Sequence, residues 1–219
     1  IPRISLVQLN DRNDCREQAL PTPANFHAWS PGGKAFLFSH WEWELGQGDP
    51  APLIAQVPRL YVWDVPQGNV KWTGPTGGYG GAWSPDGRHL AFFLLGNPRY
   101  EDSRLIGSDF VPGLPFPLHL VVLDTRTEEL LTLISLEEEM RLDGYYDARR
   151  WFEQRKPVWS PDGRQLVYWG SGDELWVIRL DETDQQKLIG NGDIIDVAWS
   201  PNGDKLSVAS LGRLWILER

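Results

Sequence analysis

Ala82-Trp83-Ser84-Pro85-Asp86-Gly87-Arg88-His89-Leu90-Ala91-Phe92 decides how this 219-residue chain is read. Its turn recurs as Trp29-Ser30-Pro31-Gly32-Gly33, Trp159-Ser160-Pro161-Asp162-Gly163 and Trp199-Ser200-Pro201-Asn202-Gly203. A small apolar residue precedes each copy (Ala28, Ala82, Val158, Ala198), and a short apolar run follows each. Proline presets φ for the second position of a type I turn, Asp or Asn suits the third, and Gly accepts the positive φ that comes next. Such a turn closes a hairpin with a small bulge. The serine offers an acceptor to a nearby backbone N–H. The tryptophan ends the incoming strand, placed to wedge against a neighbouring unit. Gly32 stands where the other copies have Asp or Asn, so the first turn is expected to be looser.

The runs after the turns are Ala35-Phe36-Leu37-Phe38, Leu90-Ala91-Phe92-Phe93, Leu166-Val167-Tyr168-Trp169 and Leu206-Ser207-Val208-Ala209. Near-continuous apolar stretches of this kind suit strands buried on both faces. A third strand follows each: Leu60 to Asp64, Leu120 to Asp124, Leu175 to Ile178, Leu214 to Leu217. A weaker fourth comes after a polar turn, at 69–73, 129–134 and 186–189. The unit is therefore four antiparallel strands, a to d, and its repetition predicts stacked units around a hub. The expected fold is all-β, a β-propeller of four recognisable four-stranded antiparallel blades in one domain, 1–219. Blade 1 covers about 26–74, blade 2 about 80–135, blade 3 about 156–190 and blade 4 about 194–219. A sandwich with similar hairpins is the alternative, and four copies of one turn in one register argue against it.

At residues 82–92 the string resembles the repeat of TolB-type β-propellers. The same repeat occurs in the propeller of the prolyl oligopeptidase family, and WD-repeat propellers carry a related Ser-Pro-Asp-Gly turn. The similarity spans roughly residues 27–219 and is specific only at the turns and adjoining strands. Only Trp63-Asp64 matches the Trp-Asp pair of WD-repeat blades, so the TolB-type resemblance is preferred. It implies the fold; propellers host many unrelated activities, so function has to be argued from the loops.

Net charge is −9, and basic residues cluster no further than Arg149-Arg150 and Arg155-Lys156. That argues against a nucleic-acid partner and for a protein or small ligand. Most of the twelve tryptophans read as packing between blades. Cys15 is the sole cysteine, which excludes an intrachain disulfide without fixing the compartment. No apolar run reaches membrane-spanning length. The sequence starts at Ile1 and shows no signal peptide. A removed signal would suit a TolB-like protein, so an extracytoplasmic location (periplasm or cell envelope) is expected, with the cytoplasm as alternative.

Ile4 to Leu9 also fits a strand c, with a strand d near 18–20, whereas the fourth unit stops after its strand c. Three arrangements follow: a ring in which residues 1–20 complete the terminal blade, a piece of a longer propeller, or closure by a second copy. The first is favoured, because strand exchange between the ends removes an exposed edge.

In a propeller the a–b and c–d turns share one rim, and the b–c and d–a connections share the other. The first rim is short throughout. The long connections, 40–58, 96–117 and 135–156, all belong to the second. Loops of that length are usually binding elements, so they are expected to form one recognition surface. Its candidate partner-binding residues are Trp41, Trp43, Tyr100, Phe110, Phe116, Tyr145, Tyr146, Arg149, Arg150 and Trp151. The Trp41-Glu42-Trp43-Glu44 run reads alternatively as an extension of strand b with a packed Trp face. Leu136 to Leu142 and Tyr146 to Arg155 read as two short helices, the second with Ala148, Trp151 and Phe152 on one face.

Catalytic signals are thin. No Gly-x-Ser-x-Gly elbow occurs. The four histidines have no metal-ligand spacing, and no cofactor is expected. Asp193 and Asp196, just before the last strand a, are placed to approach a central channel, but two acids beside a turn are a weak signal. The reading is a non-catalytic protein-interaction scaffold, a possible subunit of a membrane-associated assembly. A propeller hydrolase or lyase, or the substrate-gating propeller of a prolyl-oligopeptidase-like peptidase, is the alternative.

Overall fold

The computed structural model describes residues 3–7, 15–19, 24–45, 54–102, 104–109, 116–140, 155–170, 174–181, 185–190 and 193–218. Blade 1 is β3 (Ala24–Trp29), β4 (Ala35–Leu45), β5 (Ile54–Asp64) and β6 (Asn69–Thr76), hydrogen-bonded in that order. Blade 2 is β7 (Gly78–Trp83), β8 (His89–Leu95), β11 (Phe116–Asp124) and β12 (Leu130–Met140). Blade 3 is β13 (Val158–Trp159), β14 (Gln165–Trp169), β15 (Leu175–Arg179) and β16 (Gln185–Ile189). Blade 4 has three strands, β17 (Ile194–Trp199), β18 (Lys205–Ser210) and β19 (Arg213–Glu218). Every pairing is antiparallel. Between β8 and β11 lies a separate hairpin, β9 (Pro98–Glu101) with β10 (Arg104–Ser108). The N-terminal strands β1 (Arg3–Val7) and β2 (Cys15–Ala19) pair with each other, and β19 has no outer partner among the described strands. Among the described strands neither β1 nor β2 is hydrogen-bonded to blade 4.

The four turns show why their residues recur. Ser30, Ser84, Ser160 and Ser200 each accept, at the carbonyl, the N–H of the turn glycine at 2.8–2.9 Å. Each serine Oγ also accepts the N–H of the first residue of strand b, Ala35, His89, Gln165 or Lys205, at 2.8–3.1 Å. Gly33, Gly87, Gly163 and Gly203 have φ of +65°, +70°, +69° and +75°. Asp86 and Asp162 tighten their turns further. Each takes the serine O–H and then the N–H of Arg88 or Arg164, at 3.0 and 3.1 Å. The serine bond, followed by the Arg88 amide, holds the Asp86 carboxyl below the usual carboxylate range. In the fourth turn Asp204 takes over as acceptor for Ser200 at 2.9 Å. The first turn keeps its backbone bonds and, with Gly32, has no carboxylate to add to them.

Alternate faces of each sheet meet the next sheet. Leu37, Leu60 and Val62 of blade 1 form one core with Leu90, Phe92 and Val121 of blade 2. The other face of blade 2, with Phe93, Leu120 and Val122, packs on Trp159, Leu166 and Tyr168 of blade 3. Val167, Trp169 and Leu175 then meet Val197, Leu206 and Val208 of blade 4. Full burial of each such side chain contributes about 1.5–3 kcal/mol, so these interfaces are the main source of stability. The incoming tryptophans act as wedges: Trp159 donates its indole N–H across the interface to the Ala82 carbonyl at 3.1 Å.

Candidate interaction surface

The registers place the three long connections at the same strand ends. β4 and β5 remain paired out to Leu45 opposite Ile54. β8 ends at Leu95, opposite Leu118, and β11 begins at Phe116, opposite Met140. Residues 136–140, expected to be helical, instead prolong β12 as a strand, Leu136 pairing with Leu118 and Met140 with Phe116 across an irregularity in the register. Among the described residues there is no helix.

The bases of these connections are joined. Trp41 and Val57 from blade 1 belong to the same buried cluster as Phe116, Leu136 and Tyr79 from blade 2. Trp41 lies 5.9 Å from the Tyr79 ring. Two candidate partner residues, Trp41 and Phe116, are thus placed in the floor beneath the surface rather than on it. Trp43 lies on β4, two residues beyond Trp41. Phe110, Tyr145, Tyr146, Arg149, Arg150 and Trp151 lie outside the described residues, as does the expected helix from Tyr146.

Tyr100 is half-exposed on the β9–β10 hairpin, which takes a different path. That hairpin turns back from the rim along the outer wall. Leu105 is buried in the core between blades 1 and 2. Gly107 abuts Thr76 at the end of β6, and a Cβ there would lie 3.2 Å from the threonine Cβ. Arg104 forms an ion pair with Glu128, on the c–d turn of the opposite rim. Part of the 96–117 connection is therefore a staple between blades. Gly77, just before β7 and at φ +87°, lets it seat: a Cβ there would run into the Ser108 hydroxyl of β10 and lie 2.9 Å from the Leu95 carbonyl.

Near the hub, His27 on β3 shares a 2.8 Å hydrogen bond with Ser39 and meets Tyr79 edge-on at 5.2 Å. Burial, reinforced by the Lys156 ammonium, pushes the ring down to about 3. His27 is therefore a neutral packing residue at ordinary pH. His119 pairs with Ser135 at 3.1 Å and is also held below its usual range by burial. Asp193, just before β17, and Asp196, within it, are both exposed, and Asp196 accepts the Val197 N–H at 2.9 Å. Among the described residues no cluster of His, Cys, Asp and Glu has metal-binding geometry.

A feature the sequence reading missed is a cleft of about 410 Å³ on the short-turn rim, between blades 1 and 2. Pro31, Lys34, Asp64, Lys71, Trp72 and Trp83 line it. Its walls come from two blades, so no local sequence signal could have announced it.

An all-β chain of successive four-stranded antiparallel sheets packed face to face defines the β-propeller class. Within that class the fold is TolB-like. TolB from Acinetobacter baumannii superposes with a TM-score of 0.57 at 14% identity, over 99% of this chain and 46% of that one. The acylaminoacyl peptidase of Pyrococcus horikoshii gives 0.56 at 14% identity, over 99% of this chain and 33% of that one. Hydrazine synthase from Kuenenia stuttgartiensis gives 0.51 at 14%, over 99% and 58%. The chain thus spans about half or less of the length of TolB and of the peptidase. No family model matches the chain, and no curated protein matches it in sequence. Among the described residues no helix is long and apolar enough to cross a membrane.

Proposed function

We propose that this chain is a non-catalytic interaction module that binds a protein partner through the rim carrying its long connections. One observation carries the reading: the connections from blades 1 and 2 leave at the same strand ends, and their bases share one buried cluster of Trp41, Val57, Phe116 and Leu136. A shared rigid floor pre-organises whatever loops stand on it, which lowers the ordering cost of binding. Phe110, Tyr145, Tyr146, Arg149, Arg150 and Trp151 fall on the connections above that floor. Tyr, Trp and Arg are the residue types that dominate interface energetics. The TolB-like fold favours an extracytoplasmic setting and a partner in the cell envelope.

The test is affinity capture from the source cell with the intact chain and with a variant in which 141–154 is replaced by a short Gly-Ser linker. Stoichiometric recovery of a partner by the intact chain, and its loss from a variant that unfolds at the same urea midpoint, is expected. A partner retained by the variant overturns the reading. The likeness to a peptidase propeller favours a second one, in which this array gates a hydrolase. Turnover of a peptide panel, abolished by Asp193→Asn or Asp196→Asn, would replace the scaffold with an enzyme.

A further inference from the structure

The seam between blades 1 and 2 leaves cations unpaired where blade 2 pairs its own. Lys34 follows the turn glycine of blade 1 as Arg88 follows that of blade 2, and Asp64 ends strand c as Asp124 does. The backbones match. The Val65 N–H donates to the Lys34 carbonyl at 2.9 Å, and the Thr125 N–H to the Arg88 carbonyl at 2.9 Å. In blade 2 the side chains close on each other, Arg88 Nε donating to Asp124 at 2.7 Å. In blade 1 they do not. Among the described residues neither Lys34 nor Lys71 has a carboxylate within ion-pair distance, and both are exposed in the wall of the 410 Å³ cleft. Asp64 and Asp86 line the cleft too, but their own turns engage them. Asp64 accepts the Gln67 N–H at 2.9 Å, and Asp86 takes the Ser84 O–H and the Arg88 N–H.

The cleft has an apolar body and a long axis. Pro31, Val62, Trp72 and Trp83 supply apolar wall. β6 runs along it with Lys71 and Trp72. From Trp72 to Pro75 the same strand lines a second cleft of about 280 Å³, which reaches Ile106 on the β9–β10 hairpin. Trp72 is common to both. β6 is the outermost strand of its blade, and no described strand pairs with its edge away from β5. A furrow of two chambers beside a strand edge suits an extended chain, which offers side chains at intervals and backbone groups between them, better than a compact molecule.

We propose that this seam binds an extended acidic peptide segment of another protein, with carboxylates on Lys34 and Lys71 and an apolar side chain against Trp72 and Trp83. A lysine ammonium is a point charge that a single carboxylate oxygen satisfies. The larger chamber lies within the range of about 300–1,000 Å³ usual for ligand sites. The chain's net charge of −9 repels anions over the rest of the surface, so the selection for acid is local to this seam. The site is on the short-turn rim and stands independently of the surface proposed for the long connections.

Fluorescence anisotropy at low ionic strength, with a labelled octapeptide that alternates Asp and Leu, tests this. In an extended chain the alternation puts acids on one side and leucines on the other. Saturable binding to the intact chain is expected. It should weaken about tenfold in Lys34→Gln/Lys71→Gln, which removes two exposed ion pairs, and stay unchanged in Lys187→Gln on β16 of blade 3. Peptides with Asn in place of Asp, or Ser in place of Leu, should each bind about tenfold or more weakly. Should the double variant lose its native urea midpoint, the two single variants repeat the measurement. Absence of saturable binding overturns the proposal. So does binding that survives in the folded lysine variants, equal binding of the Asn or Ser peptide, or displacement of the octapeptide by equimolar N-acetyl-aspartate, which would make the site one for a compact carboxylate.

Discussion

On the short-turn rim, Pro31, Pro85 and Pro161 each lie beside the glycine of the next blade's turn, and the loops are four versions of one sequence. On the long-connection rim no insertion resembles another, and the unity lies underneath, where Trp41, Val57, Phe116 and Leu136 from different blades close one floor. The first rim is local chemistry repeated at fixed offsets. The second is tertiary packing between segments far apart in the chain. A change on the turn rim should be felt once per blade and modestly. A change in the floor should be felt by both connections together.

The largest expected effect breaks the floor. Trp41→Ala removes a buried aromatic shared by blades 1 and 2 and should cost about 3–5 kcal/mol, read as a fall in the urea midpoint. A cost near zero would show that the cluster packs loosely and does not unify the connections.

The second effect is in pH. His27 has a native pKa of about 3 against the ordinary imidazole value of 6.5, so between those values the unfolded chain binds a proton that the native chain does not. Stability contributed by the neutral ring is complete above about 6.5 and declines as pH falls toward 3, at up to about 1.4 kcal/mol per pH unit. Asp124 adds to the slope at the acid end. Hydrogen bonds from the Arg126 amide and the Arg88 side chain hold it at about 2, so its contribution is present above about 3.8 and is lost below. His27→Gln should flatten the dependence between pH 6.5 and 4 in urea titrations. An unchanged slope would place the acid sensitivity elsewhere.

The smallest effects sharpen the turn rim. Gly87→Ala forces an L-residue to φ +70° beside Pro31 and should cost about 1–2 kcal/mol. Gly32→Asp should do the opposite. The position has open space, and an Asp there would supply the acceptor that Asp86 and Asp162 provide in their turns, worth about 0.5–1.5 kcal/mol. A destabilising Gly32→Asp would show that the first turn is not a weakened copy of the others.

Much of the architecture was legible in the chain. The turn Trp-Ser-Pro-Asp-Gly located each a–b hairpin, and the apolar runs located strands b and c, as with Leu90 to Phe93 inside β8, although β4, β5 and β11 run about four to seven residues beyond them. The continuation of β12 through Glu137 to Met140 was not legible. Leu136-Glu137-Glu138-Glu139-Met140 has helical propensity in isolation, and pairing with β11 overrode it. Nor was the fold-back of β9–β10 visible. A short Pro-Arg-Tyr-Glu strand says nothing about which wall it will lean on.

What the sequence determined by itself was the repeating unit: proline, acid and glycine at fixed spacing set the backbone of each hairpin, and those preferences act within a few residues. Only the tertiary structure decided which apolar residues are floor and which are surface. It buried Trp41 and Phe116, left Trp29 and Leu214 open, and drove Leu105 between two blades. The reason is physical. Burial depends on what stands opposite a side chain, and in a stacked array that neighbour comes from another blade, dozens of residues away.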